Sequence, residues 1–583
     1  MKNLKVVITT LNAKYTHSSL ALRYLRETCK DLCDIEIAEF SINNQILDIL
    51  GQLFEKRPEV LGFACYIWNI EMTKQLIALV RKVLPETVIV CGGPEVSYDT
   101  RAFMEKNAAV DYVIRGEGED AFSALLRGLQ QVEKNSLDQI PGLAGRNPGG
   151  IFENCAVTVE KLTSLPFPYQ PEEMELLREK IIYYESSRGC PFACKYCLSC
   201  ATSGVRYLPL ERVQAEIAFF VKQNVRQIKF VDRTFNAKKE HFLPILRFLA
   251  KQQGRTNFHF EIAVDYLDEE VLSVLEKMPP GRIQLEIGIQ STHLPALEAV
   301  SRVNHWDMIQ NNIRRILHGR NMHVHVDLIF GLPEEDRAAF ARSFDDVYAL
   351  QPDMLQLGFL KFLKGAAMME LVEKYQYIYM DQAPYQVLAN AALSYADVRK
   401  FHTFEEIFEL YYNSGRLRQT TKYLISQMGG SPFGFYDALT DFWEEQGYHK
   451  IAHAPKALYR HLADFASQQM EKEFAVVLEL LKLDALLSDH GSIRPDFLPW
   501  QALMQSREAE AFWRDGMAEK YIEKYHFQNW RQIHKSYHIE RFSFAVDAFV
   551  EQDRLVPEEG IWLFVCTGEA CTYKKINAED FSL

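Results

Sequence analysis

Apolar residues in the first 135 positions follow two alternating patterns: short continuous runs, and longer stretches in which they recur every three or four positions. Short runs are typical of buried strands, and the longer spacing is typical of amphipathic helices. The predicted strands are residues 5–10, 35–42, 60–66, 87–91 and 111–114, and the predicted helices are residues 18–30, 71–84 and 119–130. Because strands alternate with helices, residues 1–135 are predicted to form a doubly wound, Rossmann-like α/β domain with a parallel sheet.

Residues 136–180 interrupt this alternation. The segment is rich in turn-forming and polar residues, including Asn-Pro-Gly-Gly at 147–150 and Leu-Pro-Phe-Pro at 165–168. Such a composition favours turns over regular structure. We therefore expect a linker with one small strand pair around residues 142–159.

Strand and helix patterns alternate again between residues 181 and 366, with one clear amphipathic helix at 210–223. The predicted strands are residues 181–185, 227–232, 258–264, 282–291, 323–330 and 354–363. Six such units predict a partial (β/α)6 barrel rather than a closed eight-stranded one. Barrels of this kind carry their functional residues at the carboxyl ends of the strands.

The pattern changes once more over residues 367–583, where long amphipathic stretches dominate. The predicted helices are residues 382–400, 404–413, 417–426, 431–445, 454–484 and 501–525, and two strands are predicted at 540–550 and 560–565. This part is therefore predicted to be a separate, mainly α-helical C-terminal domain of unknown role.

Composition narrows the protein class. The chain has 583 residues, 48% of them hydrophobic and 25% charged, as in soluble globular proteins. No run of about 18 apolar residues is present, so no membrane association is expected. The N-terminus lacks the apolar core of a signal peptide, and eleven cysteines fit a reducing compartment, so a cytoplasmic location is expected. The net charge of −13 gives no support to broad nucleic-acid binding.

Cys190, Cys194 and Cys197 are spaced Cys-x3-Cys-x2-Cys directly after the first predicted barrel strand. Three thiolates within eight residues can wrap an iron–sulfur cluster, which is commonly held by four cysteines. Cys200 adds a fourth thiol, so a closed zinc site and a ferredoxin-like site remain alternatives. Structural zinc sites more often use two well-separated cysteine pairs, so we expect Cys200 to be a neighbour of the site and not a ligand.

The cysteine spacing, with Tyr196 before the last cysteine, resembles the signature of the radical S-adenosylmethionine (SAM) superfamily. The resemblance implies a [4Fe–4S] cluster on Cys190, Cys194 and Cys197, whose open iron takes SAM and whose electron cleaves it to a 5′-deoxyadenosyl radical. It also implies that polar residues along and after the barrel strands, where internal salt bridges are the alternative, contact SAM. These candidate cofactor-binding residues are Tyr196, Asp232, Asn236, Glu261, Glu286, Gln290 and Ser291.

Distinctive residues also follow the predicted strands of the N-terminal domain, where doubly wound sheets bind ligands. Neither a G-x-G-x-x-G fingerprint nor a phosphate-binding G-x-x-x-x-G-K-[ST] loop occurs there. Gly-Gly-Pro-Glu at 92–95 and Gly-Glu-Gly-Glu at 116–119 resemble elements of the cobalamin-binding domain that precedes one subclass of SAM domains. The implied cobalamin-binding residues are Asn12, Tyr15, Tyr66, Trp68, Gly92, Gly93, Pro94, Glu95, Gly116, Glu117 and Gly118.

One familiar cobalamin feature is absent. The motif D-x-H-x-x-G, whose histidine ligates cobalt in many cobalamin proteins, does not occur. His17 is the only histidine before His241, and we expect it to be a polar loop residue. The resemblance therefore leaves the lower axial ligand of cobalamin open.

Two patterns in the C-terminal domain allow more than one interpretation. Residues 520–541 interleave basic and aromatic side chains, which suits stacking on bases, although a solvated helix with a buried aromatic stripe is the commoner explanation. Cys566 and Cys571 could form a metal pair or a redox pair, but we expect two cysteines at strand ends without a function.

Together, the resemblances imply a cobalamin-dependent radical SAM enzyme that methylates an unactivated carbon. Rearrangement, cyclisation or reduction without methyl transfer is the alternative, and a cobalamin sensor without enzymatic activity is a third possibility. The expected cofactors are a [4Fe–4S] cluster, SAM and cobalamin, and the expected protein partner is a reductant such as flavodoxin or ferredoxin. The substrate, whether small molecule, peptide or RNA, and any catalytic side chain are not specified by the sequence.

Overall fold

The computed structural model describes residues 4–131, 137–201, 204–488, 491–514, 516–523, 525–567 and 571–581. It divides into two compact units, Met1–Val398 and Arg399–Leu583. Residues 367–398, predicted to belong to the C-terminal domain, lie in the first unit. The reason is packing, since Tyr377, Tyr385 and Val387 share a hydrophobic cluster with Leu360 and Phe362 at the end of the last barrel strand.

The N-terminal sheet has seven strands in the order β2-β1-β3-β4-β5-β6-β7. The first five are parallel, and β6 and β7 continue the sheet in antiparallel pairing. All seven residues of β1 are buried, as expected for a central parallel strand covered by helices on both faces. The strands are β1 Val6–Asn12, β2 Ile35–Ser41, β3 Val60–Ala64, β4 Val88–Gly92, β5 Tyr112–Ile114, β6 Leu143–Asn147 and β7 Gly150–Glu153.

Seven helices belong to this region. They are α1 Leu20–Cys29, α2 Ile46–Lys56, α3 Ile70–Val83, α4 Pro94–Ser97, α5 Thr100–Lys106, α6 Glu119–Gln130 and α7 Met174–Leu177. The doubly wound α/β prediction is confirmed, although α2, α4 and α5 were not predicted. The strand pair predicted inside the linker exists as β6 and β7, but it is part of the N-terminal sheet because β6 pairs with β5.

The second sheet has six parallel strands in the order β15-β14-β13-β12-β11-β8, which confirms the partial barrel. The short antiparallel pair of β9 and β10 closes the base of the cysteine loop. The strands are β8 Ile181–Tyr184, β9 Ser187–Arg188, β10 Arg206–Tyr207, β11 Gln227–Phe230, β12 Asn257–Ile262, β13 Ile283–Gln290, β14 His323–Phe330 and β15 Met354–Phe359. The helices are α8 Leu210–Lys222, α9 Lys239–Leu249, α10 Glu269–Glu276, α11 Leu294–Ala299, α12 Trp306–Gly319 and α13 Arg337–Tyr348.

Beyond β15 the chain does not form the helix predicted over residues 382–400. It forms a small hairpin of β16 Ile378–Tyr379 and β17 Val387–Ala389, and the next helix, α14 Tyr395–Phe408, begins later. The delay has a local cause. Asn390 accepts hydrogen bonds from two following backbone amides, and Ser394 and Asp397 cap the helix reciprocally.

The C-terminal unit is mainly helical with one three-stranded sheet of order β18-β19-β20. Its remaining helices are α15 Arg418–Gln427, α16 Pro432–Gln446, α17 Pro455–Gln469, α18 Phe474–Leu487, α19 Arg507–Arg514, α20 Trp530–Ser536 and α21 Val546–Gln552. The strands are β18 Tyr537–Phe544, β19 Pro557–Val565 and β20 Thr572–Ile576.

Three predictions for this unit were wrong in detail. The helix predicted over 454–484 is two helices separated after Gln469, and the one predicted over 501–525 shrinks to α19, with Gly516 in the left-handed conformation beyond it. The strand predicted over 540–550 ends at Phe544 and is followed by α21, and β20 was not predicted.

The two ambiguous C-terminal patterns have structural explanations. Tyr521 and Tyr525 are buried in a cluster with Trp513, and Trp530 packs against it, as expected for a buried aromatic stripe. Cys566 and Cys571 form a disulfide between the end of β19 and the start of β20. In the described ranges, no helix is long and apolar enough to cross a lipid bilayer.

Candidate active site

The cysteine loop is shaped by its first glycine and by backbone hydrogen bonds. Gly189 has a φ of +105°, and a Cβ there would lie 2.0 Å from the carbonyl oxygen of Gly204, so only glycine fits. Lys195 N donates to Val300 O at 2.9 Å, and Lys195 O accepts from Met368 N at 2.9 Å. The loop is therefore fixed to the segments that follow α11 and β15.

Cys190 and Cys197 are partly exposed, whereas Cys194 is buried. Arg302 Nη1 lies 3.9 Å from Cys194 Sγ, and Ser199 N donates to Cys197 Sγ at 3.4 Å. Cationic and backbone donors at the sulfurs are features of iron–sulfur ligation. The loop thus fits the cluster that its spacing implies. The side chain of Cys200 lies outside the described residues, so its predicted role as a neighbour stays a prediction.

A single-ion site is not formed by these thiols. In the described part of the chain, no three His, Cys, Asp or Glu side chains lie close enough to share one metal ion. Zinc would need all its sulfurs about 2.3 Å from one centre. The closed zinc site of the sequence analysis also involves Cys200, whose side chain lies outside the described residues.

Asp232 and Asn236 connect strand ends through the backbone. Asp232 is fully buried and accepts hydrogen bonds from Ser186 N at 2.8 Å, Ser186 Oγ at 2.6 Å and Ser187 Oγ at 2.6 Å. Burial raises its pKa to about 6, against the effect of these hydrogen bonds. Asn236 pairs with both backbone groups of Ala263 at 2.7 and 2.9 Å. Both side chains thus position the edge where SAM is predicted to bind.

Gln290 and Ser291 lie where β13 leaves the sheet. Gln290 has a φ of +70° next to a bulge. The Ser291 hydroxyl donates to Glu335 at 2.6 Å, and the Ser343 hydroxyl donates to the same carboxyl at 2.9 Å. Burial raises the pKa of Glu335 to about 7 despite these bonds. Glu335, which sequence reasoning missed, fixes the position of Ser291.

The carboxyl edge of the N-terminal sheet presents flat aromatic surface. Trp68 is 46% exposed, stacks on Tyr66 with ring centres 4.5 Å apart, and donates from Nε1 to Leu11 O at 3.2 Å. Tyr15, in the loop after β1, is also exposed, whereas Asn12 at the end of β1 is buried and its amide donates to His17 O and Glu39. An exposed tryptophan held rigidly at this edge suits a large planar ligand.

Close contacts within the chain itself also explain why glycine occupies some positions of this edge. Gly93 has a φ of +110°, and a Cβ there would lie 2.5 Å from Cys65 O. Gly116 has a φ of +83°, and a Cβ there would lie 2.3 Å from Val157 O. Gly92 and Gly118 have no contact that close. Two of the four glycines are thus required by the close approach of the chain to itself.

Pro94 and Glu95 begin α4, which packs against the end of the barrel region. Tyr385 donates to Glu95 Oε2 at 2.7 Å, and Lys364 Nζ lies 3.4 Å from Glu95 O. Burial raises the pKa of Glu95. The carboxyl is therefore already engaged, and it links the predicted cobalamin edge to the barrel.

Arg188 joins the Gly-Glu-Gly-Glu element to the cysteine loop. Its guanidinium contacts Glu119 at 2.6 Å, Glu185 at 2.8 Å and Glu117 at 3.3 Å, and its side chain is only 13% exposed. Glu117 also pairs with Arg206 at 2.6 Å, directly across β9 and β10 from Arg188. We call these five residues the Arg188 hub. It ties the start of α6 to the residue two positions before Cys190.

His17 makes a further contact between the two sheets. Its Nδ1 lies 2.6 Å from the hydroxyl of Tyr183, and its backbone pairs with Ile181 beside β8. Burial lowers the pKa of His17, and the charges of Lys14 and Lys229 lower it further. His17 is therefore an interface residue, and the expectation of a polar loop role agrees with this contact.

The strands of the partial barrel have one apolar face and one polar face. Ile182, Ile228, Phe258 and Val324 are fully buried towards the helices. The alternate positions form the polar set that we call the inner face: Tyr183, Lys229, His259, Glu261, Gln284, Glu286, His325, Asp327 and Gln356. Barrel interiors are usually filled by branched apolar residues, so this face is unusual.

The inner face has a defined charge arrangement. Lys229 Nζ lies 2.7 Å from Glu286, and His259 Nε2 lies 2.8 Å from the same carboxylate. Burial alone would raise the pKa of Glu286, but His259 and Lys229 lower it to about 2. Burial raises the pKa of Glu261 to about 7, and the neighbouring Glu286 adds to the effect. Glu286 is therefore ionised and paired, whereas Glu261 titrates near neutrality.

Sequence reasoning found Glu261 and Glu286 but missed Lys229, His259 and Asp327. The signal was present as strict alternation of apolar and polar residues in residues 257–262, 283–288 and 323–328, which marks a strand with one polar face. Register brings these residues together, since Lys229 is opposite His259 and Glu261 is opposite Glu286.

Three family models match the chain. The B12-binding domain matches residues 6–126, the radical SAM superfamily matches residues 184–347, and a family of unknown function, DUF4080, matches residues 373–564. The first two cover the two halves joined by the Arg188 hub. The third begins in the hairpin region before α14.

Two curated relatives match about half of this chain. The cobalamin-dependent radical SAM methyltransferase TokK of Streptomyces tokunonensis is 28% identical over 305 residues, which are 50% of this chain and 44% of TokK. The 2-(S-pantetheinyl)-carbapenam-3-carboxylate methyltransferase of Streptantibioticus cattleyicolor is 28% identical over 303 residues, 48% of this chain and 44% of that enzyme. The chain thus spans less than half the length of these relatives.

Solved structures share the fold. The radical SAM methyltransferase TsrM from Kitasatospora setae, with cobalamin and a [4Fe–4S] cluster bound, has a TM-score of 0.54 at 17% identity, covering 65% of this chain and 76% of TsrM. OxsB with aqua-cobalamin and SAM bound has a TM-score of 0.56 at 15% identity, covering 82% of this chain and 80% of OxsB. This chain therefore combines a region that matches the B12-binding domain, a region that matches the radical SAM superfamily and a C-terminal region that matches DUF4080.

Proposed function

We propose that this protein is a cobalamin-dependent radical SAM enzyme that transfers a methyl group to an unactivated carbon. The observation that carries the proposal is the Arg188 hub, because it joins a cobalamin-type edge to a three-cysteine loop within one compact unit. The matched relatives named as methyltransferases support methyl transfer over the other reactions of such enzymes.

The proposal gives each cofactor a set of residues. Cys190, Cys194 and Cys197 would hold the cluster, with Arg302 offsetting the negative charge at Cys194. When bound, the cluster, SAM and cobalamin would supply radical generation and methyl delivery, so the protein's task is to bind and orient. Trp68 would present its exposed ring to the planar face of cobalamin.

Several residues predicted to contact SAM would instead hold neighbouring segments of the protein in place. Asp232 and Asn236 have their polar atoms engaged by Ser186, Ser187 and Ala263, and Ser291 is held by Glu335. We propose that they fix the strand ends around SAM. Tyr196, which packs against the same hydrophobic cluster as Ile67, would close the side towards the cobalamin edge.

The remaining assignments complete the proposal. Residues 1–135 would form the cobalamin domain, 181–366 the SAM barrel and 367–583 the C-terminal region, of which 367–398 pack on the end of the barrel. Flavodoxin or ferredoxin would supply the first electron. A cytoplasmic location suits the eight described cysteines that are free thiols.

Product analysis tests the proposal. The full chain, reconstituted with iron, sulfide and hydroxocobalamin, is incubated with SAM, dithionite and a metabolite extract. S-adenosylhomocysteine and 5′-deoxyadenosine together, with a metabolite heavier by one methyl group, are the expected products. 5′-Deoxyadenosine without S-adenosylhomocysteine would favour radical chemistry without methyl transfer. A loaded protein that forms neither nucleoside would refute an enzymatic role.

A further inference from the structure

The inner face carries more negative than positive charge. Its acidic residues are Glu261, Glu286 and Asp327, and its one lysine is Lys229. The set also contains two histidines, His259 and His325. Lys229 Nζ forms an ion pair with Glu286 at 2.7 Å and lies 4.0 Å from Glu261. One carboxylate is thus neutralised, and the other two are not matched by a second lysine or arginine on this face.

Glu261 is the acid with the fewest partners. Its side chain is 32% exposed, and its one ion-pair contact in the described chain is Lys229 at 4.0 Å. Arg233, exposed after the end of β11, acts on Glu261 through its charge. The carboxylate of Glu261 therefore remains open to a ligand that enters along the inner face.

Buried polar atoms without hydrogen bonds lie on the same face. They are His325 Nε2 and Asp327 Oδ1, whereas His259 Nε2 is paired with Glu286 at 2.8 Å. His325 is 7% exposed, and its Nε2 lies 3.1 Å from Asp327 Oδ1 without completing a hydrogen bond. Buried polar groups in native proteins normally have partners. His325 and Asp327 attract each other without completing a hydrogen bond, so a polar ligand on this face could supply the partner that each side chain lacks.

The inner face is also continuous with the predicted cofactor edges. Tyr183 reaches His17 of the N-terminal sheet at 2.6 Å, and Arg233 acts through its charge on both Glu261 and Tyr66. Glu261 is the next-to-last residue of β12, close to the strand ends where SAM is predicted to bind. A ligand held at Glu261 would therefore lie within reach of the proposed chemistry.

We infer that the inner face binds a substrate that carries a cationic nitrogen group, an amine or an amidine, paired with Glu261, and a hydrogen-bonding group directed at His325 and Asp327. The inference rests on the proposed function and adds the substrate class to it. A cation adds the missing positive charge beside Glu261, whereas an anion would face Glu286, Asp327 and Glu261 together. Like charges placed this closely in a partly buried site are unfavourable.

Equilibrium dialysis tests the substrate class directly. The full chain, loaded with cluster, hydroxocobalamin and excess SAM, is dialysed against a metabolite extract that has been freed of SAM and separated by ion exchange into cationic, neutral and anionic pools. SAM is itself a cationic amine, so it is supplied at saturation and is not counted as a retained compound. Retained compounds are identified by mass spectrometry. We expect retention from the cationic pool, and a loss of at least about tenfold in Glu261→Gln, since the variant keeps the shape but removes the charge.

The matched control is Glu269→Gln, which makes the same change at a side chain that is 84% exposed on α10. It should retain the same compounds as the unmodified protein. Circular dichroism and cluster absorbance show whether Glu261→Gln is folded and loaded. For a Glu261→Gln protein that fails this check, the unmodified protein is dialysed at two pH values in its place.

The retention of a cationic compound should change with pH in a predictable direction. Burial raises the pKa of Glu261 to about 7, with a further contribution from Glu286 and Asp327, and Lys229 and Arg233 oppose this shift. His259 and His325 also lie on this face. Since a cation pairs with the ionised form, retention at pH 6 should be about tenfold weaker than at pH 8.

The inference is overturned if the retained compounds are neutral or anionic, if no cationic compound is retained, or if Glu261→Gln retains cations as well as the unmodified protein does. The proposed function is judged separately. It depends on nucleoside products formed by the unmodified protein, whereas the substrate class depends on dialysis without dithionite.

Discussion

Replacing Arg188 with methionine should loosen both halves of the predicted two-cofactor site at once. The change removes a buried cation from Glu119, Glu185 and Glu117, which lie 2.6, 2.8 and 3.3 Å away. Glu119 and Glu185 are buried, and burial already raises the pKa of Glu185. Without Arg188, two buried carboxylates would face each other unpaired.

The size of the effect follows from this arrangement. Breaking a buried ion pair by removing one partner costs about 3–5 kcal/mol, because it leaves an uncompensated buried charge. At about 1.4 kcal/mol for each factor of ten, local opening should become roughly 150- to 5,000-fold more frequent. The increase should be confined to segments that the hub joins, namely the start of α6 and residues 185–190.

Hydrogen–deuterium exchange measured by mass spectrometry detects such local opening. Peptides that cover residues 117–130 and 183–190 should exchange faster in Arg188→Met by these factors, and a peptide from α12 should not change. Arg188→Lys should fall between, because lysine keeps the charge but loses the forked hydrogen bonds.

Arg206→Met is the matched control. Arg206 shares Glu117 with Arg188, but its side chain is 24% exposed, and its loss leaves Arg188 beside Glu117. The expected cost is about 1 kcal/mol, a less than tenfold change in exchange. If Arg188→Met exchanges at the unmodified rate, or no faster than Arg206→Met, the hub does not hold the two elements together and the argument fails.

Two further predictions concern the cluster and the C-terminal unit. Cys194→Ala should abolish the absorbance at ~400 nm expected for iron–thiolate charge transfer, while Cys200→Ala should leave it largely intact. The measurement is the absorbance spectrum of each variant after cluster reconstitution. Equal loss in both variants would contradict a three-ligand site. Asp484 caps α15 through Gln419 N and Thr420 N at 2.9 and 2.8 Å, and burial raises its pKa to about 7. Since its folded pKa lies above the unfolded value of about 3.9, the folded state binds more protons, so its contribution to stability is complete below about pH 4 and is lost as the pH rises through 7. Asp484→Asn should flatten this slope in urea unfolding followed by circular dichroism, and an unchanged slope between pH 4 and 7 would show that Asp484 is not its source.

The alternation of strands and helices was enough to predict both sheets. Short apolar runs such as those predicted at 60–66 and 87–91 are typical of strands buried on both faces, and the strands lie within two residues of these bounds. The antiparallel extension by β6 and β7 was not predictable, because it depends on pairing with β5 across a turn-rich segment. The early end of the predicted helix at 382–400 depends on hydrogen bonds to Asn390 that composition does not reveal.

The cysteine loop was found because its chemistry lies within one short segment. The partners of its neighbours were not found, because Glu117 and Arg188 are far apart in sequence and meet only through the fold. A carboxylate that binds a distant arginine and one that binds a ligand look the same in sequence. The roles of Glu95 and Asp232 as internal contacts therefore needed three-dimensional information.

The two-faced strands of the partial barrel separate the residues that hold the fold from those that meet a ligand. Ile228 and Phe230 are fully buried against the helices, while Lys229 between them points to the opposite side. Mutations at inward positions can therefore accumulate without loosening the apolar layer that stabilises the barrel. Such a scaffold can acquire new substrates during evolution, or in the laboratory, by exchanging inward side chains while its cofactor-holding loops stay unchanged.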